Sequence, residues 1–132
     1  MIVMAMIAII AVIAIPRFVN ATEEAAESAL AKDLQMVRRQ IELFKLHHGG
    51  ILPGQDDIEM VQQLTGRTDA DGTLNAGGAF GPYMRVFPTN PFTESNDVRQ
   101  AGGSSPGVGD QAWFYNHTTG LFAPNDDAHK DL

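Results

Sequence analysis

The chain opens on fifteen residues without a polar side chain, MIVMAMIAIIAVIAI, ended by Pro16 and followed by its first charge at Arg17. Eleven of the fifteen are Ile, Val or Met and the rest are Ala, so a helix built from them has no polar face. Such a helix reaches about 22 Å, against roughly 30 Å for the hydrocarbon core of a bilayer. A secretory signal needs a basic n-region that these residues do not contain. A core helix needs a head large enough to wrap it, and only about 80 residues follow the helical region. The reading that fits is burial in a membrane or between subunits, with a cleaved signal and a soluble core helix as the alternatives.

The remaining composition narrows the classes further. Residues 1–48 carry five Lys/Arg against five Asp/Glu, whereas residues 49–132 carry four against eleven, so the net charge of −7 sits in the second part. An acidic head has no basic footprint for phosphates, and no nucleic-acid partner is expected there. The absence of cysteine excludes disulfides, thiolate chemistry and Cys-type zinc sites, and leaves the compartment unread.

From Arg17 to His48 the sequence lacks Gly and Pro and is rich in strong helix formers, and Gly49-Gly50 end it. Leu30, Leu34, Val37, Ile41 and Phe44, preceded by Ala26, recur at helical spacing and predict the stripe that packs on the head. Pro16 predicts a kink or local melting. The chain therefore divides into an apolar half-helix over 1–20, an amphipathic half-helix over 21–48 and a head over 49–132.

Within the head, a short helix is expected over Asp56–Leu64, capped by Asp56 or Asp57, stopped by Gly66 and turning Ile58, Val61 and Leu64 inward. FGPYMRVFPTNPFT reads as an ordered loop with at most a short strand over Tyr83–Val86. AWFYNHTTGLFAPN predicts a hairpin of Ala112–Asn116 with Leu121–Ala123, to which Val98–Gln100 adds a third strand. Tyr83, Phe87, Trp113, Tyr115 and Phe122 are the expected head core. Alternation across the strand puts some of Trp113, Phe114 and Tyr115 on the surface, and the tail DDAHKDL is expected to be loose. The fold class is α+β: a lollipop with a long N-terminal helix on a small antiparallel sheet.

Ala14-Ile15-Pro16-Arg17-Phe18, with the apolar run before it and the Ala/Glu-rich helix after it, resembles the N-terminal helix of type IV pilins and type II secretion pseudopilins. The head is similar too: a Gly-Pro-Tyr followed by FPTNPFT, a Gly-rich loop, a Trp-Phe-Tyr-Asn strand and a Thr-Gly turn. The resemblance implies that a basic leader, the glycine of the processing site and about six mature residues, including a glutamate, belong ahead of Met1, lost to an internal start or to trimming. The alternative is a protein that never had them, and in that case processing by prepilin peptidase and glutamate-guided assembly would not carry over. The resemblance also implies a structural, non-enzymatic filament subunit that rests in the bacterial inner membrane with its head in the periplasm or outside, then polymerises with itself or with related subunits. Prepilin peptidase and an assembly platform are the implied partners of the full-length form. Met1, Ile2, Val3, Met4, Met6, Ile7, Ile9, Ile10, Val12, Ile13, Ile15 and Pro16 become the membrane and filament core. A membrane-anchored monomeric binding module of the cell envelope is the alternative.

Other chemistry is thin. Asp69 and Asp71 in TDADGT resemble part of a calcium loop but lack a further acid and its distal Glu. The pseudopilin resemblance implies a calcium site in the late loop of the head, and the corresponding loop, Gly102–Asp110, offers only Asp110, so calcium is the one cofactor left open. His47 and His48 diverge by about 100° on a helix, which suits the helix C-terminus better than a shared metal. No catalytic spacing stands out. Glu23, Glu24 and Glu27 precede Arg38 and Arg39, an order that suits the helix dipole and, between staggered neighbours, sets acids beside bases.

Overall fold

The computed structural model describes residues 2–103, 105–107 and 109–132. Helix α1 spans Ile2–His47 as 46 residues, about 69 Å long. It is uninterrupted at Pro16, so the expected local melting is not present. Its end follows from the sequence: Gly49 and Gly50 take positive φ (64° and 99°), and the Gly50 N–H donates to Lys45 O at 2.8 Å.

The expected stripe is the packing face. Leu30, Val37 and Phe44 are completely buried, and Leu34 and Ile41 nearly so. They share a core with Met60, Leu64, Phe87, Trp113, Tyr115 and Phe122. Tyr83 packs against this core only partly buried, because its hydroxyl turns outward to His47 Nδ1 at 3.1 Å.

Helix α2 is Met60–Thr65, shorter than expected and later in starting. Asp56 and Asp57 adopt φ of 57° and 61°, so they build a turn instead of capping a helix. The first N–H of α2 is satisfied from outside, by Gln100 Oε1 on the Met60 N–H at 2.9 Å. Gly66 ends the helix as expected. Leu64 faces the core, while Ile58 and Val61 are only partly covered.

Strands β1 (Val98–Ala101), β2 (Trp113–Asn116) and β3 (Phe122–Pro124) form one sheet in that order. The β2–β3 hairpin is antiparallel, with Tyr115 opposite Phe122. Its turn is tied by Asn116, whose side-chain oxygen accepts the Thr118 and Thr119 N–H groups at 2.9 and 3.0 Å. The β1–β2 pair is parallel, so the sheet is mixed, not antiparallel. The reason is the connection 102–112: about a dozen residues suffice to carry the chain back from the end of β1 to the start of β2.

That return path also explains Phe114. Trp113 and Tyr115 face the helix, yet Phe114 on the opposite face is equally buried, so none of the three aromatics is at the surface. The connection covers that face: Gly107 N–H donates to Asn125 Oδ1 at 3.0 Å, and Asn125 Nδ2 donates to Gln111 O at 3.1 Å.

Residues 83–86 are loop without a strand, within the expected ordered loop, and the Tyr83 and Met84 N–H groups both donate to Leu64 O at 2.9 and 3.1 Å. One other expectation is corrected. The tail is folded: Asp126 Oδ1 accepts the Ala128 and His129 N–H groups, and His129 stacks on Phe92 with ring centroids 4.2 Å apart.

Candidate functional site

Two surfaces of α1 differ sharply. The 18-residue stretch near its start with mean hydropathy 2.6 has none of its residues buried, and it is long and apolar enough to cross a membrane. Ile2, Val3, Met4, Met6, Ile7, Ile9, Ile10, Val12, Ile13 and Ile15 are each at least 60% exposed. Met1 lies outside the described residues, and Pro16 contributes its backbone to the helix. Phe18 (72%) and Val19 (51%) extend the apolar surface beyond the proline. About 42 Å of helix precedes Leu30, the first buried residue among those described. That surface exceeds the few hundred Å² of apolar patch usual on a monomer, the mark of a lipid or protein contact.

The second surface is where α1 is held. Arg38 donates from Nε and Nη2 to Phe122 O at 3.0 and 2.8 Å, and from Nη2 to Leu132 O at 3.1 Å. Of the charges read for assembly, Arg38 is bonded to its own head, while Arg39, Glu23, Glu24 and Glu27 are exposed on the helix. The signal for Arg38 was available, since it sits between Val37 and Ile41 at the border of the buried stripe. Asp33, nearby on the helix, has its carboxyl pKa raised by partial burial, opposed by Lys32.

The histidines at the end of α1 also find partners, within an aromatic group. His48 is buried, with Nδ1 2.7 Å from Phe44 O and Nε2 2.9 Å from Thr68 Oγ1. Its ring stacks on Phe44 at 3.8 Å. His47 meets Phe80 and Tyr83. These contacts seat the helix end on the head.

The acids of TDADGT are occupied in a turn. Asp71 Oδ1 accepts the Thr73 hydroxyl at 2.7 Å and the Thr73 N–H at 3.0 Å, which lowers its pKa. Asp69 Oδ2 accepts from Asn75 Nδ2 at 2.8 Å. Asp110 lies apart from them in sequence, in the 102–112 connection. Among the described residues no three His, Asp or Glu side chains are grouped to hold a metal ion.

Residues that sequence reading missed are structural polar ones. Asn90 is fully buried, with Nδ2 donating to Ala112 O at 3.1 Å and Oδ1 accepting the Phe92 N–H at 2.9 Å. Gln63 donates to Gly72 O at 2.8 Å from within the core. Their signal in sequence is weak, because Asn and Gln are ordinary loop and surface residues.

Compared with known proteins, the chain matches no protein-family model, no curated protein and no solved structure.

Proposed function

We propose that this chain is a structural subunit that rests in a membrane through residues 1–20 and polymerises through the same surface, in the manner of type IV pilins and type II secretion pseudopilins. The observation that carries the reading is the continuity of α1. One unbroken helix joins an apolar half whose described residues are not buried in their own chain to a half clamped on the head. A flexible linker would let an anchor and a head move independently. An unbroken helix fixes the head to the apolar half, as a repeating assembly requires. The bacterial inner membrane, with the head in the periplasm or outside, is the setting this reading implies.

Energetically, membrane and filament are alternative hosts for the same side chains. Each large apolar residue is worth about 1.5–3 kcal/mol when taken out of water. Between lipid and a helix bundle the transfer is nearly neutral, so packing decides. The monomeric anchor remains the second reading, because a lone membrane helix satisfies the same side chains.

The test is imaging of the full chain after slow detergent removal, beside Ile9→Lys and Ile13→Lys variants. Filaments of constant diameter from the parent, and none from variants whose heads still fold, support the reading. Dispersed monomers in lipid, with filaments under no condition, contradict it. Recovery from cells of a chain cleaved ahead of Thr22 makes the run a signal sequence.

A further inference from the structure

The two edges of the sheet are finished differently. On β3, Arg38 occupies the Phe122 carbonyl and Pro124 has no N–H to offer. On β1, the parallel register turns the backbone of Asp97, Arg99 and Ala101 toward β2, as in the 2.9 Å bond from Trp113 N–H to Asp97 O. The same register turns the N–H and C=O groups of Val98 and Gln100 away from the sheet. Among the described residues these outward backbone groups have no hydrogen-bond partner. Free edges of this kind are templates for another strand.

The edge of β1 opens on a cleft of about 550 Å³ lined by Glu59, Met60, Asp97, Val98 and Gln100. A second cleft, about 500 Å³, continues past Gln100 to Asp56 and Asp57. The far wall is fixed: Gln100 Nε2 donates to Gly54 O and Ile58 O at 2.9 and 3.0 Å, and its Oε1 accepts from Met60 N–H. Acids stand at both ends, and among the described residues no Lys or Arg lines either cleft.

We propose that the free edge of β1 receives an extended basic segment of a partner protein, which pairs with the Val98 and Gln100 backbone and sets Lys or Arg side chains against Glu59, Asp97, Asp56 and Asp57. A second copy of this chain is disfavoured by net charge, since each head carries eleven acids against four bases. A strand of four residues offers few hydrogen bonds, so backbone pairing sets register and charge drives encounter. The inference is independent of how the apolar half-helix is used.

The test uses the full chain in non-ionic micelles and a labelled peptide of alternating Lys and Val, beside the same peptide N-methylated at every second amide. The unmodified peptide is expected to bind, with affinity falling as salt rises, and the N-methylated one to bind about tenfold more weakly. Val98→Pro removes an outward N–H, leaves the β1–β2 ladder intact and is expected to weaken binding by a similar factor. In the unsubstituted chain the Val98 and Gln100 amides should gain protection from hydrogen exchange when the peptide binds. No binding, equal binding of both peptides, or bound peptide without protection at those two amides overturns the proposal, whatever Val98→Pro does.

Discussion

Arg38 lies with Nε and Nη2 3.0 and 2.8 Å from the carbonyl of Phe122, 84 residues away, so one cation on the long helix both docks it and closes the outer edge of the sheet. Hydrogen bonds from a charged donor are worth about 1.5–3 kcal/mol, and Arg38→Ala should destabilise the head by that amount. Arg38→Lys should recover only part, since an ammonium cannot reproduce the planar fork. Arg39→Ala, exposed one residue on, should change stability by less than about 0.5 kcal/mol. Chemical denaturation of the three variants checks this; equal costs at 38 and 39 would show that the fork contributes nothing.

Trp113 is fully buried, and its Nε1–H donates to Pro88 O at 3.0 Å. It stacks on Phe122 with centroids 5.2 Å apart, between the helix stripe and the sheet. Trp113→Ala should cost about 3–5 kcal/mol. A cost near zero, accompanied by loss of a binding activity, would make the ring a surface platform instead.

Both tyrosines resist ionisation. Tyr115 donates its hydroxyl proton to Pro53 O at 3.0 Å, and burial, then the charge of Glu42, pushes its pKa well above the usual phenol value. Burial raises Tyr83 as well. A folded-state pKa above the unfolded value of about 10 means that the folded chain holds the proton longer, so stability is lost as pH rises past about 10. Denaturation midpoints measured across that range should fall for the parent, and fall less steeply for Tyr115→Phe. Identical slopes would remove Tyr115 as the cause.

Much of this architecture was legible in the residues because it follows short periods. The stripe Leu30–Phe44 has helical spacing and is the buried face, and the His117–Gly120 turn sits between two apolar runs that form the hairpin, with strand ends shifted by one residue. What escaped depends on residues far apart in the chain. Gln100, not Asp56 or Asp57, satisfies the start of α2, and no local pattern announces a partner 40 residues away. The parallel β1–β2 pairing is likewise set by where the 102–112 connection runs. The apolar run was legible as a surface in need of a partner, and its exposure in the structure agrees.

Removing residues 1–20 should leave a soluble, folded head with helix from about Thr22, since none of the described residues before Leu30 is buried. Thermal unfolding of the truncated chain should stay cooperative. Loss of the transition would mean that the run belongs to the core.

The chain contains no cysteine, so reporters can be placed without background. Ile9 and Val19 are 62% and 51% exposed on the free half of α1. With cysteines at both positions and a flexible bifunctional thiol reagent, subunits packed side by side through this half should join into a ladder of dimers, trimers and longer species. The ladder should persist when the surrounding lipid is diluted. A chain that stays monomeric, or stops at dimers that vanish on dilution, would contradict assembly through the apolar half-helix and leave it as a tether.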